Sequence, residues 1–224
     1  MPSTTAPSSR TKVRRAPKRG SYDRASIDAI LDEAIVSHVG FVHDEQPYVI
    51  PTLHARVGDI VYLHGSTASR MVRTLASGGP CSLTATLLDG IVLARSAFHH
   101  SANYRSVTVL GRARLVESED ERLRALEAFS EQLVPGRWEH VRPPNRKEMK
   151  ATQVLALALG EASAKVRSGP PVDDDEDMGR EVWAGVIGLE LRALEPQADP
   201  QMPAGTALPG HVSEWTPART ALSA

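Results

Sequence analysis

A mainly β, α+β domain on a small antiparallel barrel with short flanking helices is the fold class the sequence predicts. Three observations predict it. Six or seven short apolar segments read as strands, tight turns join most of them, and only three segments carry a helical period. A parallel doubly wound sheet would need a helical crossover between most strands, and these connections are too short for that. Antiparallel strands in sequence escape open edges by closing on themselves.

The elements follow in order. Asp23 to Ser37 is expected to be helical, with Asp23 or Ser26 as cap and a stripe of Ile27, Ile30, Leu31, Ala34 and Ile35. Val39 to Val42 and Tyr48 to Ile50 flank the polar break Asp44-Glu45-Gln46, a hairpin signal. Gly58-Asp59 then leads into Ile60 to Leu63, a second hairpin. Ser69 to Ala76 reads as a short helix stopped by Gly78-Gly79-Pro80. Cys81 to Leu88, continued by Gly90 to Ala94, and Tyr104 to Val116 read as long strands. Glu119 to Val134 opens with acids and repeats Leu123, Leu126, Phe129 and Leu133 at helical spacing. Gln153 to Leu159 and Glu181 to Leu191 are the last strands.

The ends differ from the middle. Residues 1–20 carry Arg10, Lys12, Arg14, Arg15, Lys18 and Arg19 and no acid, while the whole chain has a formal charge of −1. With so few apolar groups, this arm is expected to be disordered, either a solubilising tail or a weak tether. Residues 21–195 form the domain. From 196 to 224, prolines recur too often for an element, so a flexible tail is expected.

Several function classes are excluded or disfavoured. Cys81 is the only cysteine, which rules out an intrachain disulfide and a Cys-rich zinc site and suits a reducing cytoplasm. The net charge gives no pull toward nucleic acid. No apolar run reaches membrane-spanning length, and no apolar segment follows Arg14-Arg15 as a secretory signal requires. Eight histidines invite a metal, but the adjacent His99 and His100 point to opposite faces of a strand, and no helical His spacing occurs. No nucleophile elbow is present.

One stretch asks for a ligand. HGSTASR at 64–70 places a glycine, three hydroxyls and an arginine where a strand becomes a helix. Backbone N–H groups, hydroxyls and a guanidinium are the donors a phosphate needs. A plain capped turn with a surface arginine reads the same residues equally well. Lys165 and Arg167, two apart on an extended segment, share a face turned to an anion or to water. Trp183 is a core residue or the cover of a planar ring.

Five segments in this order resemble the pyridoxamine 5′-phosphate oxidase-like, FMN-binding split-barrel family, in the branch with nitroimidazole-resistance proteins. They are YVIPTLHAR (48–56), VYLHGSTASR (61–70), YRSVTVLGRARLVE (104–117), SAKVRSGPP (163–171) and EVWAGVIGLEL (181–191). The resemblance implies FMN in a cleft between two subunits of a homodimer, acting on a small organic substrate. It implies that Ser69 and Arg70 hold the phosphate, lined by His64, Gly65 and Ser66. It places Pro51, Thr52 and Leu53 at the pyrimidine edge of the ring and Tyr104, Arg105, Ser106 and Val107 beside the flavin. It makes Lys165, Arg167 and Arg105 candidates for the cations near the ring and Trp183 the aromatic expected to close the cleft. The end EWTPARTALSA lacks the Arg- and Pro-containing signature of true pyridoxamine phosphate oxidases, so the resemblance implies the flavin site without that substrate. A deazaflavin-using reductase and a non-catalytic flavin- or haem-binding protein share the fold.

Overall fold

The computed structural model describes residues 5–218. Two antiparallel sheets face each other. The larger runs in the order β1 (Gly20–Ser21), β10 (Ala162–Arg167), β7 (Ser101–Arg112), β6 (Pro80–Leu93), β2 (Val36–His43), β3 (Gln46–Leu53), and β11 (Gly185–Gly188) also pairs with β6. The smaller runs β4 (Ala55–Val57), β5 (Ile60–Ser66), β9 (Thr152–Ala158), β8 (Arg114–Leu115). The two remain separate ladders, which makes a split barrel.

The core follows from period-two alternation. Val39, Phe41, Leu83, Val107 and Val109 of the larger sheet meet Val61, Leu63, Leu155 and Leu157 of the smaller, all buried. Helix α1 (Arg24–Glu33) plugs one end with Ile27, Ile30 and Leu31, and α2 (Arg70–Ala76) adds Val72 and Leu75. Helix α3 (Glu119–Leu133) covers the outer face of the smaller sheet, packing Ala125 and Phe129 on Tyr62, Val154 and Ala156. The Tyr62 hydroxyl anchors it, donating to Glu121 Oε1 at 2.9 Å.

Four expectations are corrected. The first helix ends at Glu33 rather than Ser37, because Ser37, Val39 and Phe41 point inward while Val36, His38 and Val42 point out, a strand alternation. The run Tyr104 to Val116 is two strands, not one. It changes sheet at Ala113, next to Gly111, where a Cβ would sit 2.8 Å from the tip of the Leu157 side chain and force it to shift. Only Gly185–Gly188 of the last expected strand is paired; β6 is long enough to hold β2 along residues 81–85 and β11 along 90–93, with a bulge between Leu88 and Gly90. The segment after Pro196, expected to hold no element, contains one turn of helix, α5 (Gly210–Ser213). Helix α4 (Arg146–Ala151) was not anticipated, although Asn145 and Glu148 form a reciprocal capping box.

The N-terminal arm, expected to be disordered, has contacts. Ser8 Oγ donates to Glu161 Oε2 at 2.6 Å, Arg10 pairs with the same carboxylate at 3.0 Å, and Thr11 is buried. Residues 1–4 and 219–224, at the two ends of the expected tails, lie outside the described residues. No helix among the described residues is long and apolar enough to cross a membrane.

Candidate functional site

Alternation sorts the expected site residues. Ala162 and Ala164 on β10 are buried in the core, so Ser163, Lys165 and Arg167 lie on the outer face. Register carries that face across the sheet. Arg167 pairs with Tyr104 and Lys165 with Ser106, while Ser106 pairs in turn with Thr86. A parallel row runs Pro51, His38, Thr84, Thr108, Ser163 over five strands. The Thr84 and Thr108 hydroxyls lie 3.3 Å apart. Tyr104, Ser106, Lys165 and Arg167 are therefore brought together beside a band of hydroxyls, and Pro51 lies on the same face, whereas Leu53 packs against the Tyr62 and Phe129 cluster under α3.

Their sequence neighbours are not. Val107 is wholly buried in the core, and Thr52 faces inward beside Ser37, whose Oγ donates to Thr52 O. Arg105 turns inward too. It binds Glu33 Oε2 at 2.5 Å and Oε1 at 2.7 Å, and Asp89 Oδ1 at 2.8 Å. Those bonds, Glu33 first, hold its proton affinity above the ordinary value. It is a structural cation and offers no free donor to a ring.

Arg167 is as deeply buried and has no carboxylate. Its guanidinium donates to Asn103 Oδ1, to Gly169 O at 3.5 Å and to Pro170 O at 3.2 Å. Burial, and then repulsion from Arg19, push its pKa below the ordinary value. Arg19 arrives through β1, where Gly20 pairs with Lys165. Cations thus gather at one end of the outer face.

The HGSTASR turn lies apart from that face, where β5 of the smaller sheet runs into α2, and Tyr48 beside it shares the inward face of Phe41. Ser69 caps α2, its Oγ accepting from Val72 N, and Ser66 Oγ accepts from Ala68 N at 3.2 Å. Arg70 is exposed and lies over the Tyr48 ring at 4.6 Å, a cation–π contact. Gly65 serves packing, since a Cβ there would meet Val72 Cγ2 at 2.9 Å. His64 points to the opposite face of β5, edge-on to Phe129 at 4.4 Å, with Nδ1 buried and unpartnered. It does not line the turn. Burial lowers its pKa. Trp183 is 66% exposed and stacks against Gly185 in the β11 segment, clear of the hydroxyl band.

Sequence reasoning missed a second region. Residues 189–218 fold back over the C-terminal end of α3 and enclose a groove of ≈ 860 Å³ lined by Val134, Leu191, Leu194, Val212 and Trp215. Beside it the rings of His140 and His211 stack 4.3 Å apart. A histidine and a tryptophan four residues apart, in a tail otherwise rich in proline and small residues, were the only signal. A smaller pocket bounded by Thr86, Leu88 and Arg105 shares Glu190, Leu191, Pro217 and Ala218 with it.

Residues 23–166 match the family model described as pyridoxamine 5′-phosphate oxidase. The chain belongs to that family. The matched span contains both sheets except β1 and β11, and all but the last residue of β10. Among solved structures, the flavocytochrome Anf3 from Azotobacter vinelandii is 43% identical, covering 94% of this chain and 98% of its own, with a TM-score of 0.89. The FAD- and haem-binding protein from Mycobacterium smegmatis is 39% identical, covering 89% and 98%, with a TM-score of 0.85. A putative 5-nitroimidazole resistance protein from Bacteroides thetaiotaomicron shares the fold at 21% identity and a TM-score of 0.55, covering 64% of this chain and 84% of its own. No curated protein matches.

Proposed function

We propose that the protein is a flavin-dependent oxidoreductase acting as a homodimer, with the flavin on the outer face of the larger sheet between the two copies. One observation carries this reading: Arg167 is a buried guanidinium without a counter-charge, beside Lys165 and Arg19, on a face banded with hydroxyls. An isolated buried cation is costly, and an anionic or electron-rich ligand offsets that cost.

Where the cations sit supports the dimer reading. Arg70 stands over Tyr48, which aligns with Phe41 and Cys81, whereas Arg167 aligns with Tyr104 and Leu88. Seven residues of β6 separate those rows, roughly 23 Å at strand rise. A two-fold axis brings one end of one copy to the other end of its partner. Exposed Val36, Val42, Val49 and Leu88 supply an apolar surface for such a contact.

A bound flavin supplies hydride acceptance and donation, which is why no acid–base dyad is needed. The chain's part is placement: Ser69 and Arg70 hold the phosphate, Tyr104 and Ser106 border the ring, and Lys165 and Arg167 supply positive charge beside it. FMN is the form expected from the family; the relative named for FAD makes the dinucleotide the form to set against it. The same relatives support haem as a second cofactor, since one is named a flavocytochrome and the other a haem-binding protein. The single buried thiol, Cys81, is at home in a reducing cytoplasm.

The test is an absorbance spectrum of the purified protein, with chromatography of the released cofactor and sedimentation for mass. Flavin bands, released FMN or FAD and a dimer are expected. A colourless protein that fails to bind added FMN or FAD would refute the reading. Tighter binding of a deazaflavin than of either flavin would replace it with the reductase alternative. Flavin-dependent consumption of NAD(P)H separates an enzyme from a carrier.

A further inference from the structure

The strands of the larger sheet turn one imidazole outward, that of His38. It lies on β2 between the inward Ser37 and Val39 and is exposed. Among the described residues it makes no hydrogen bond and no ion pair. Imidazole is the side-chain type that both takes up and gives up a proton near neutral pH. The phenol, ammonium and guanidinium groups that share this face, on Tyr104, Lys165 and Arg167, are not of that type.

No neighbouring charge fixes the state of His38. Its outward neighbours are Val36 and Gly40 on β2, Val49 and Pro51 on β3, and Ser82, Thr84 and Thr86 on β6, all uncharged. Outward cations stand further off. Arg112 lies on β7, four residues along from the row of His38, and Lys165 lies on β10, three strands across.

Hydroxyls lead away from the ring. Thr84 is its register partner on β6, the Thr84 and Thr108 hydroxyls lie 3.3 Å apart, and Ser163 follows on β10. A hydroxyl both donates and accepts, so such a row can hand a proton along. The next row on the same face, Thr86, Ser106 and Lys165, is two residues further along the strands, about 7 Å at strand rise. Ser106 and Lys165 are residues that the reading above sets beside the flavin.

We propose that His38 is the proton donor of this site and that the substrate carries a polarised double bond. The proposal rests on the flavin reading above and adds the acid and the substrate class. Reducing such a bond takes a hydride at one atom and a proton at the other. The hydride comes with its electron pair from the reduced flavin. The proton comes from the His38 imidazolium, whose N–H pair stays on nitrogen, while the π pair of the substrate bond forms the new bond to it. Oxidised flavin, reduced substrate and neutral imidazole result, and water recharges the imidazole along the hydroxyl row.

The test uses full-length, flavin-loaded protein as wild type, His38→Gln and His38→Ala. Each is reduced with one equivalent of dithionite and mixed without oxygen with menadione, a quinone that takes a proton with each hydride, or with ferricyanide, which takes an electron alone. Reoxidation by menadione should slow by about 10²–10⁴-fold in both variants. It should also lose the decline that wild type shows as pH rises through the range where imidazole gives up its proton. Ferricyanide rates, flavin content and the unfolding midpoint should not change. Imidazole added to His38→Ala should restore part of the menadione rate, which a structural role would not produce. Apart from turnover, the His38 ring signals in a proton–carbon NMR spectrum, identified by their absence from His38→Gln, should move when flavin is added to the flavin-free protein. Menadione rates equal to wild type in both variants overturn the proposal, as do ring signals that stay in place. Equal slowing with both acceptors makes His38 a structural residue and overturns it too. A wild type that binds no flavin defeats the flavin reading, and this proposal with it.

Discussion

Arg105 and Arg167 are neighbours in the sheet, since Arg105 pairs with Val166, and each is 7% exposed. Their surroundings are opposite. Arg105 turns inward to two carboxylates, Glu33 and Asp89. Arg167 turns outward to three neutral oxygens and sits near a second cation, Arg19. Depth alone therefore says nothing of role. A buried cation whose charge is balanced within the chain holds the fold; one left unbalanced marks where the charge of something else belongs.

The comparison breaks most readily at Arg105. Arg105→Ala strands Glu33 and Asp89, and the loss of stability should be about 3 kcal/mol or more, read from urea unfolding. A loss under about 1 kcal/mol would mean that the ion pairs hold little of the fold. Arg167→Met should behave differently. Stability should change by less than about 1 kcal/mol, while flavin affinity falls by about 1–3 kcal/mol in a fluorescence titration, the size of a charge-assisted bond. If instead Arg167→Met unfolds the protein and Arg105→Met weakens only the flavin, the two roles are exchanged.

Arg70 offers a weaker version of the same contrast, because it is exposed and already has the Tyr48 ring as partner. Arg70→Ala should leave unfolding within about 1 kcal/mol, the value of an exposed cation–π contact. Flavin affinity should drop by about 1–3 kcal/mol. Unchanged affinity would remove Arg70 from the phosphate site and leave HGSTASR a capped turn.

The two arginines also show what the sequence makes legible. The hairpin of β2 and β3 and the Ser69 cap could be read from local patterns, because alternation and capping are decided within a few residues. The expected hairpin of Tyr48 to Ile50 with Ile60 to Leu63 was wrong in its partner, since β5 turns back on β4 while β3 stays in the larger sheet. The motif YRSV could be placed beside the site, but the facing of each residue could not. Arg105 reads like any other basic residue of a strand until Glu33, 72 positions away, arrives beside it. The change of sheet at Ala113 was hidden for the same reason: Gly111 matters only through Leu157. The C-terminal groove was missed because turn-rich composition argues against regular elements, and a segment that packs by single side chains such as Trp215 needs none.

His54 completes the contrast as a buried ionisable group that stays uncharged, and its effect is the smallest. It is 2% exposed, with Nε2 against Leu31 O at 2.9 Å and Nδ1 without a partner. Burial holds its pKa below the 6.5 of a free imidazole. The unfolded chain therefore takes up this proton first as pH falls. Stability is full above 6.5 and declines from there until the folded pKa is passed. His54→Gln removes that contribution, so stability below pH 6.5 should fall less steeply in the variant than in wild type. His64, also depressed, keeps some slope in both. Identical slopes in urea unfolding at several pH values would show that His54 does not carry its part. A steeper slope in the variant would mean that the imidazole is charged in the core, and that an unbalanced buried cation can exist here without a ligand, which would weaken the inference drawn from Arg167.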